Sequence, residues 1–185
     1  MSEVVRLTLV SHAMTDAMAA GRFPADEPLN ELGRRQLDGL DLGAAATAYS
    51  GPEARTRQTA DVLGLAAQLD ERLADLDCAR WRGLELDEVP PQELTAWLID
   101  PDGCPHGGES IVHLMARVRG WLADVSHTPG RTVAVTHPAV IRAVILTALD
   151  APPKSFWRID VAPASTTTLH CRGAAWTLRS AVAGQ

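Results

Sequence analysis

Short apolar runs of β type alternate along this chain with stretches whose apolar residues recur at helical spacing. Residues 4–10 form the first such run and residues 132–136 form another, and both are rich in β-branched side chains. In residues 109–125, apolar positions recur at intervals of three and four, which predicts a long amphipathic helix. Strands that alternate with helices in this way predict an α/β fold with parallel strands in one sheet.

Capping and turn residues mark the ends of several predicted helices. Asn30 is a suitable N-cap for a helix in residues 28–40, and Pro138 suits the first position of a helix in residues 138–149. The remaining predictions are strands at 44–49, 157–161, 166–171 and 176–178, helices at 53–64 and 92–99, an irregular segment at 68–87 and a turn at 100–108. The last three of these strands would form an antiparallel hairpin unit at the end of the chain.

The composition is that of an ordinary globular protein, with 46% hydrophobic and 22% charged residues. Because 185 residues suit one domain and no repeat or linker interrupts the chain, we predict a single domain over residues 1–185. The net charge of −6 argues against a broad nucleic-acid surface. No apolar run approaches the roughly 20 residues of a membrane span, so no membrane association is predicted.

The cysteines and the first residues of the chain favour a cytoplasmic protein with reduced thiols. Cys78, Cys104 and Cys171 are odd in number and contain no CxxC pair, which argues against a zinc ribbon or a redox motif. The first residues lead into a strand without a basic region or an apolar signal core. His106 and His113 lack the spacing and the carboxylate partners of a metal site, so we expect neither a metal nor a cofactor.

Two histidines stand where β-type runs end. His12 follows the run at 4–10, and His137 follows the run at 132–136. Parallel strands of one sheet would bring both side chains to the same carboxyl edge, where open α/β sheets bind ligands. One imidazole at that edge can attack phosphorus, and a second can stabilise the charge that develops. The alternative for either histidine is a structural role, in which the ring ends a buried strand and hydrogen-bonds to the backbone.

Five sequence blocks, in this order, resemble one known family. They are Ser11-His12-Ala13-Met14-Thr15, residues 28–36 (PLNELGRRQ), residues 50–60 (SGPEARTRQTA), residues 107–110 (GGES) and Val135-Thr136-His137. The family is the histidine phosphatase superfamily, with the phosphoglycerate mutase-like fold. The resemblance covers residues 4–145 and implies a three-layer α/β/α sandwich around a mostly parallel central sheet.

The resemblance implies roles for several residues. His12 matches the nucleophile that forms a phosphohistidine, and His137 matches the histidine that stabilises the transferring phosphoryl group. Arg55 matches a phosphate-binding arginine, and Thr15 could donate its hydroxyl to the same anion. Asp75 falls where the family has the glutamate that protonates the leaving oxygen, and aspartate is one methylene shorter.

The chain departs from the family pattern at the residue before the nucleophile. Ser11 stands where the family has an arginine that grips the phosphate, and its hydroxyl offers one neutral hydrogen bond in place of a charged pair. Losing such a contact typically costs on the order of 2.7–4 kcal/mol of transition-state stabilisation. Arg22 and Arg82 are candidates for the substrate entrance, and Arg82 replaces a glutamate of the family pattern.

We therefore hypothesise a metal-independent phosphatase that hydrolyses a phosphorylated small molecule, a phosphomonoester, through a phosphohistidine on His12. The alternative is a degenerate family member, catalytically weak or inactive, that binds a phosphorylated ligand or a partner. Ser11, Asp75 and Arg82 are the residues that favour this alternative. The C-terminal hairpin could offer a sheet edge for a homodimer. The segments 16–28 and 76–106, where specificity would lie, contain no readable code for the substrate.

Overall fold

A mostly parallel sheet is the centre of the fold. The structure is a computed structural model, and it describes residues 4–173 and 175–179. The strands of these residues are β1 (Val5–Ser11), β2 (Thr47–Ser50), β3 (Gln68–Leu69), β4 (Gly130–Thr136), β5 (Thr166–Arg172) and β6 (Ala175–Arg179). They form one sheet in the order β3-β2-β4-β1-β5-β6. The predicted domain over residues 1–185 also includes residues 1–3, 174 and 180–185, which lie outside the described residues.

Six α-helices connect and cover these strands within the described part of the chain. They are α1 (Asp16–Ala19), α2 (Glu31–Gln36), α3 (Ala54–Val62), α4 (Pro91–Ile99), α5 (Ile111–Val125) and α6 (Pro138–Ala148). Short 3₁₀ helices lie at Glu71–Leu73, Ala79–Trp81, Leu86–Glu88 and Pro153–Arg158. The predicted cap of α2 is confirmed, because Asn30 Oδ1 accepts a hydrogen bond of 2.8 Å from the Gly33 amide. Among the described residues, no helix is both long and apolar enough to cross a bilayer.

The register of β1 against β4 determines where the predicted site lies. The two strands are parallel and pair residue by residue until Ser11 lies opposite Thr136. β2 pairs with the other side of β4, also in parallel, and β5 runs antiparallel along β1. His12 and His137 directly follow the last β1–β4 pair, so both leave the sheet at the same level of its carboxyl edge.

Apolar side chains cover both faces of the sheet, as the alternation along its strands requires. On one face, Leu9 and Ala134 belong to the larger core cluster, to which α5 and α6 contribute most of their buried residues. On the other face, Val10 and Val133 pack in a smaller cluster with Ala60 of α3. Helices therefore lie on both sides of the sheet, and the predicted three-layer α/β/α sandwich is confirmed.

The prediction of a strand at residues 157–161 is wrong. The chain instead forms a 3₁₀ helix at Pro153–Arg158, preceded by Pro152. Proline fixes φ and lacks an amide donor, which favours a helix start over a strand. The ring of Trp157 packs against Trp97 in a tilted arrangement, with 4.4 Å between their centroids. The later two predicted strands are confirmed, because β5 and β6 pair as an antiparallel hairpin.

Helix α2 supports the loop that follows His12. Gly33 of α2 packs so closely on the backbone of Met14 that a Cβ at position 33 would overlap the Met14 amide and carbonyl. The Met14 amide donates to Gln36 Oε1 at 3.1 Å, and the Met14 carbonyl accepts from the Asn30 amide at 3.1 Å. Helix α2 and its N-cap residue therefore fix the backbone of Met14, two residues beyond His12, by hydrogen bonds to both the Met14 amide and the Met14 carbonyl.

Candidate active site

A cavity of about 190 Å³ opens at the carboxyl edge of the sheet, beside the ends of β1 and β4. His12, Arg55 and Asp75 line it together with several apolar side chains. His137 lies against this group, and its ring is 5.1 Å from the ring of His12, centroid to centroid, in an edge-to-face arrangement. The structure thus brings four of the predicted site residues together.

His12 is a neutral imidazole with a free nitrogen. Its ring is buried, and Nδ1 lies 2.9 Å from the Ala13 carbonyl oxygen. Because a carbonyl oxygen only accepts, Nδ1 carries the proton and Nε2 keeps its lone pair. Burial, together with the neighbouring His137 and Arg55, lowers the pKa of His12 to about 3. His12 therefore stays neutral at physiological pH.

His137 lies between two carboxylates. Its Nε2 is 2.8 Å from Glu53 Oε2, and its Nδ1 is 3.3 Å from Asp75 Oδ2. Only Nε2 is hydrogen-bonded, to Glu53, whereas Nδ1 makes no hydrogen bond among the described residues although the Asp75 carboxylate lies close to it. The helix that follows begins with Pro138, so the ring also stands at the N-terminus of α6.

Arg55 is fully buried and already binds a carboxylate. One terminal nitrogen, Nη2, donates to Asp75 Oδ2 at 2.7 Å, and the other, Nη1, donates to the Ala25 carbonyl at 2.6 Å. Glu27 Oε1 lies 3.7 Å from Nη1. Within the described residues, Arg55 Nε has no hydrogen-bond partner. The positive charge of Arg55 is therefore balanced by acidic side chains of this chain.

Asp75 is ionised in this arrangement. Burial alone would raise the pKa of its carboxyl, but the positive charges of His137 and Arg55 outweigh burial and lower the pKa below its ordinary value. Oδ2 is shared between these two groups, and Oδ1 accepts from the Leu76 amide at 2.8 Å. The carboxylate thus acts as an internal anion that Arg55 holds by a hydrogen bond and that lies next to His137.

Glu53 belongs to the site and was missed by the sequence analysis. It immediately precedes α3, its Oε1 accepts from the Asp75 amide at 2.9 Å, and its Oε2 contacts His137. Burial opposes its ionisation, but the hydrogen bond to His137 lowers the pKa of Glu53 below its usual range. Gly51 leaves room for this contact, since a Cβ there would lie 3.3 Å from His137 Nε2. Glu53 lies two residues before Arg55, and this position in the sequence is the signal that could have identified it.

Ser11 and Thr15, predicted to bind phosphate, both lie outside the lining of the cavity that contains His12. Ser11 is buried at the end of β1, and its Oγ has no hydrogen-bond partner among the described residues. Thr15 Oγ1 accepts from the Met18 amide at 3.2 Å and so caps α1. Neither residue lines the cavity that contains His12, as far as the described residues define it.

The two arginines predicted for the entrance take different positions. Arg22 lines the cavity and pairs with Glu85 at 2.9 Å, with about half of each side chain exposed. The Phe23 amide donates to the Leu84 carbonyl, and the Phe23 carbonyl accepts from the Gly83 amide. These two hydrogen bonds connect the loop after α1 to the segment that contains Glu85. Arg82 pairs with Asp77 at 2.8 Å and lines a neighbouring opening, whose wall also includes Arg55 and Asp75.

The cavity wall also contains aromatic side chains and one further arginine, Arg142, which sequence reasoning missed. Its Nε donates to the Ile159 carbonyl at 2.7 Å. Arg142 lies four residues after Pro138 on α6, a spacing that puts both on the same face of the helix. The aromatic lining residues are Phe23, Trp97, Phe156 and Trp157.

We found no cluster of three or more potential metal ligands within residues 4–173 and 175–179. The carboxylates of the site are instead taken up by Arg55 and His137. As it stands, the arrangement offers a neutral nucleophilic nitrogen, two cationic groups and a carboxylate around one point. That combination can transfer a phosphoryl group from an ester to a nitrogen and then to water.

Comparison with known proteins gives a consistent match. Residues 7–183 match the histidine phosphatase superfamily (branch 1). Phosphoserine phosphatase 1 of Hydrogenobacter thermophilus is 29% identical over 183 residues, which cover 90% of this chain and 87% of that protein. Glucosyl-3-phosphoglycerate phosphatase of Mycobacterium tuberculosis is 31% identical over 170 residues, which cover 80% of this chain and 76% of that protein.

A longer relative and a solved structure extend this match. A bifunctional protein of Mycobacterium tuberculosis is 31% identical over 187 residues, which cover 91% of this chain and 51% of that protein, so the chain spans about half of its length. The structure of mycobacterial glucosyl-3-phosphoglycerate phosphatase in complex with VO3 superposes with a TM-score of 0.84. It is 29% identical, and the match covers 96% of this chain and 98% of that one.

Proposed function

This chain belongs to the histidine phosphatase superfamily, and we propose that it hydrolyses phosphomonoesters through a phosphohistidine formed on His12. The relatives that carry the names of phosphatases of phosphoserine and of glucosyl-3-phosphoglycerate support this reaction class. The observation that supports it most directly is the state of His12, which is neutral with its proton on Nδ1 and so leaves Nε2 unprotonated, and which lines one cavity with Arg55. A neutral imidazole nitrogen is nucleophilic, and the ring is a good leaving group once protonated.

In the first step, Nε2 of His12 forms a bond to phosphorus while the bond between phosphorus and the ester oxygen breaks. Asp75 gives a proton to the departing oxygen, which leaves as an alcohol. Arg55 and His137 stabilise the negative charge on the transferring phosphoryl oxygens. In the second step, Asp75 takes a proton from a water molecule, and the resulting hydroxide attacks the phosphohistidine. The bond between phosphorus and Nε2 breaks, its electron pair returns to Nε2, and inorganic phosphate leaves with His12 restored.

Asp75 must gain a proton before it can act as the acid. When the phosphoryl group binds, its oxygens interact with Arg55 and His137 in place of Asp75. The negative phosphoryl group then also lies beside the Asp75 carboxylate. Both changes raise the pKa of Asp75, since two negative groups that share a site do not both remain ionised. The proton comes from solvent or from the monoanionic form of the substrate. The scheme needs neither a metal ion nor a cofactor.

We also propose that Ser11 takes the place of the arginine that precedes the nucleophile in the family pattern. A hydroxyl supplies no charge, so beside His12 the charge on the phosphoryl oxygens would be met by Arg55 and His137 without the arginine of the family pattern. We expect this to lower turnover by about 10²–10³ relative to a site with one more preorganised cationic donor. The same substitution favours the alternative of a protein that binds phosphorylated ligands and turns them over weakly or not at all.

Hydrolysis of p-nitrophenyl phosphate tests the proposal. We expect wild-type turnover, no turnover in His12→Ala, and a loss of about 10²–10³ in Arg55→Ala. Arg57→Ala is the matched control, since Arg57 lies two positions further along α3 and is exposed. Mass spectrometry of alkali-quenched wild-type protein should find a phosphoryl group on His12. Turnover that survives His12→Ala contradicts the proposal, whereas phosphate binding without turnover in the wild type supports the alternative.

A further inference from the structure

The aromatic part of the cavity forms one connected surface. The rings of Phe23 and Trp97 are 5.6 Å apart, and those of Trp97 and Trp157 are 4.4 Å apart, centroid to centroid. Phe156 continues the row at 4.8 Å from Trp157. All four side chains line the same cavity as His12. Successive rings are tilted by 59–85° to one another, so an aromatic leaving group on a phosphoryl at His12 would have both ring faces and ring edges to pack against.

Arg142 adds a positive charge to this surface. The carbon of its guanidinium lies 5.7 Å from the ring centroid of Phe156 and 5.8 Å from that of Trp157. The Nε of Arg142 donates its hydrogen bond to the Ile159 carbonyl. The planar fork of its two terminal nitrogens is the geometry that binds a carboxylate through two parallel hydrogen bonds.

Arg142 has no ion-pair partner, by contrast with the other arginines of this cavity. Among residues 4–173 and 175–179, no carboxylate lies within ion-pair distance of its guanidinium. Arg22 is paired with Glu85, and Arg55 is paired with Asp75. Burial lowers the pKa of Arg142, with partial compensation from more distant acidic groups. A half-buried cation without a counter-ion is unfavourable, and an anionic ligand group would relieve this cost.

The geometry points to Arg142 as a specificity-determining residue that binds a carboxylate on the leaving group of the substrate, while the aromatic surface packs against its apolar body. The favoured substrate class is accordingly a small aromatic phosphomonoester with one carboxylate, since an aromatic ring can pack edge-to-face against tilted rings. A cavity of about 190 Å³ is small for a ligand site, which restricts the body to roughly one ring. The acidic residues of the wall do not oppose this, since Glu27 and Asp75 both lie against Arg55.

The inference rests on the proposed function, and two isosteric substrates test it. 4-Carboxyphenyl phosphate and 4-carbamoylphenyl phosphate have similar shapes and differ in charge. We expect wild-type kcat/KM to be about 10- to 100-fold higher for the carboxylate, the usual range for a hydrogen bond to a charged group. In Arg142→Gln this ratio should fall towards one, and in Arg142→Lys it should be intermediate. Arg119→Gln, an exposed arginine of α5, should keep the wild-type ratio.

Binding of benzoate and of benzamide to the wild-type protein, followed by calorimetry, separates this inference from the proposed function. Stronger binding of benzoate, lost in Arg142→Gln, supports the role of Arg142 even if neither phosphate ester is hydrolysed, a result that would refute the proposed function alone. Equal kcat/KM for the two esters in the wild type overturns the inference and leaves the phosphatase in place. An equal loss for both esters in Arg142→Gln also overturns it, because Arg142 would then serve the phosphoryl group or the fold.

Discussion

Asp75 Oδ2 accepts a hydrogen bond of 2.7 Å from Arg55 Nη2, so the arginine proposed to bind phosphate already holds an anion. The same oxygen lies 3.3 Å from His137 Nδ1. A substrate phosphoryl group must therefore compete with Asp75 for both cationic side chains. This competition weakens phosphate binding, and it also links binding to protonation of the acid, because the displaced carboxylate loses the charges that keep it ionised.

Replacing Asp75 should separate binding from catalysis. In Asp75→Asn the internal anion is gone, so we expect vanadate to bind about tenfold more tightly or better, because one like charge is removed next to it. Turnover of an aryl phosphate should fall by about 10²–10⁴, since the acid and base are lost. Inhibition kinetics and kcat measure the two effects. Asp77→Asn, which alters an exposed ion pair with Arg82, serves as the control; weaker vanadate binding in Asp75→Asn would refute the competition.

Glu53 should matter for the rate more than for substrate affinity. Its carboxylate fixes the His137 ring through Nε2 and also receives the Asp75 amide. Glu53→Ala removes both contacts, and misplacement of this kind costs about 10²-fold in rate. Glu53→Gln keeps an acceptor for the Asp75 amide and should retain part of the activity. The measurement is the kcat and KM of each variant beside Glu31→Gln, which changes an exposed residue of α2; a change in KM alone would contradict a positioning role.

The depressed pKa of His12 has a consequence for stability. The ring is neutral in the folded protein down to about pH 3, whereas in the unfolded chain it binds a proton below about 6.5. Between these values the unfolded state holds more protons, so the free energy of unfolding should fall as the pH is lowered through this window. His12→Asn should reduce this dependence by up to about one proton. Denaturant unfolding at several pH values measures the slope.

An exposed histidine provides the reference for that experiment. His113→Asn changes a ring on the surface of α5 and should leave the slope as in the wild type. An identical slope for wild type and His12→Asn would show that the burial of a neutral His12 does not contribute to acid sensitivity.

Gly33 should be intolerant of even a methyl group. In Gly33→Ala the new Cβ would overlap the backbone of Met14, and we expect a loss of about 1–3 kcal/mol of stability. Turnover should fall with it, because the displaced segment carries His12 two residues earlier. Gly120→Ala is the counterpart, since position 120 lies in α5 with open space around it and should gain up to about 1 kcal/mol. Thermal unfolding of both variants measures the contrast.

Ser11 offers a test of a buried hydroxyl directly before the nucleophile. Its Oγ has no hydrogen-bond partner among the described residues. Removing an unsatisfied buried polar group is neutral or stabilising, so Ser11→Ala should leave the free energy of unfolding unchanged or raise it by up to about 1 kcal/mol. Ser11→Arg should lower it, because a long charged side chain enters a fully packed position. A marked loss of stability in Ser11→Ala would point to a partner for this hydroxyl.

The central pair of the site is predictable from sequence because strand ends carry a positional signal. His12 and His137 each follow an apolar run, and parallel pairing of those runs leads to a common edge. Arg55 and Asp75 were found through sequence blocks of the family. These residues lie together in the structure, which is what their pattern predicted.

Glu53 and Arg142 are not predicted as site residues from the sequence, for a physical reason. Each acts through a contact with a residue distant in sequence, Glu53 with His137 and Arg142 with the Ile159 carbonyl. Such contacts produce no periodic pattern in the sequence. A single charged residue at a helix start or on a helix face is usually solvent-exposed and has no role in a site. The predicted strand at 157–161 failed because apolar and aromatic content favoured a strand, whereas the two prolines before it started a 3₁₀ helix.

The alignment of Ser11 with Thr136 at the ends of β1 and β4 has a wider consequence. The distance between the two imidazoles depends on main-chain hydrogen bonds, which hold for almost any side chains in those strands. Much of the apolar cavity wall comes from elsewhere, from the loop after β1, the segment around Leu76 and Cys78, and the 3₁₀ helix at Pro153–Arg158. Substitutions in these segments can change the fit of the ester body while the reacting groups keep their spacing, whereas Arg142 stands on the helix that begins directly after His137, so recognition of a carboxylate is tied to the position of the second imidazole.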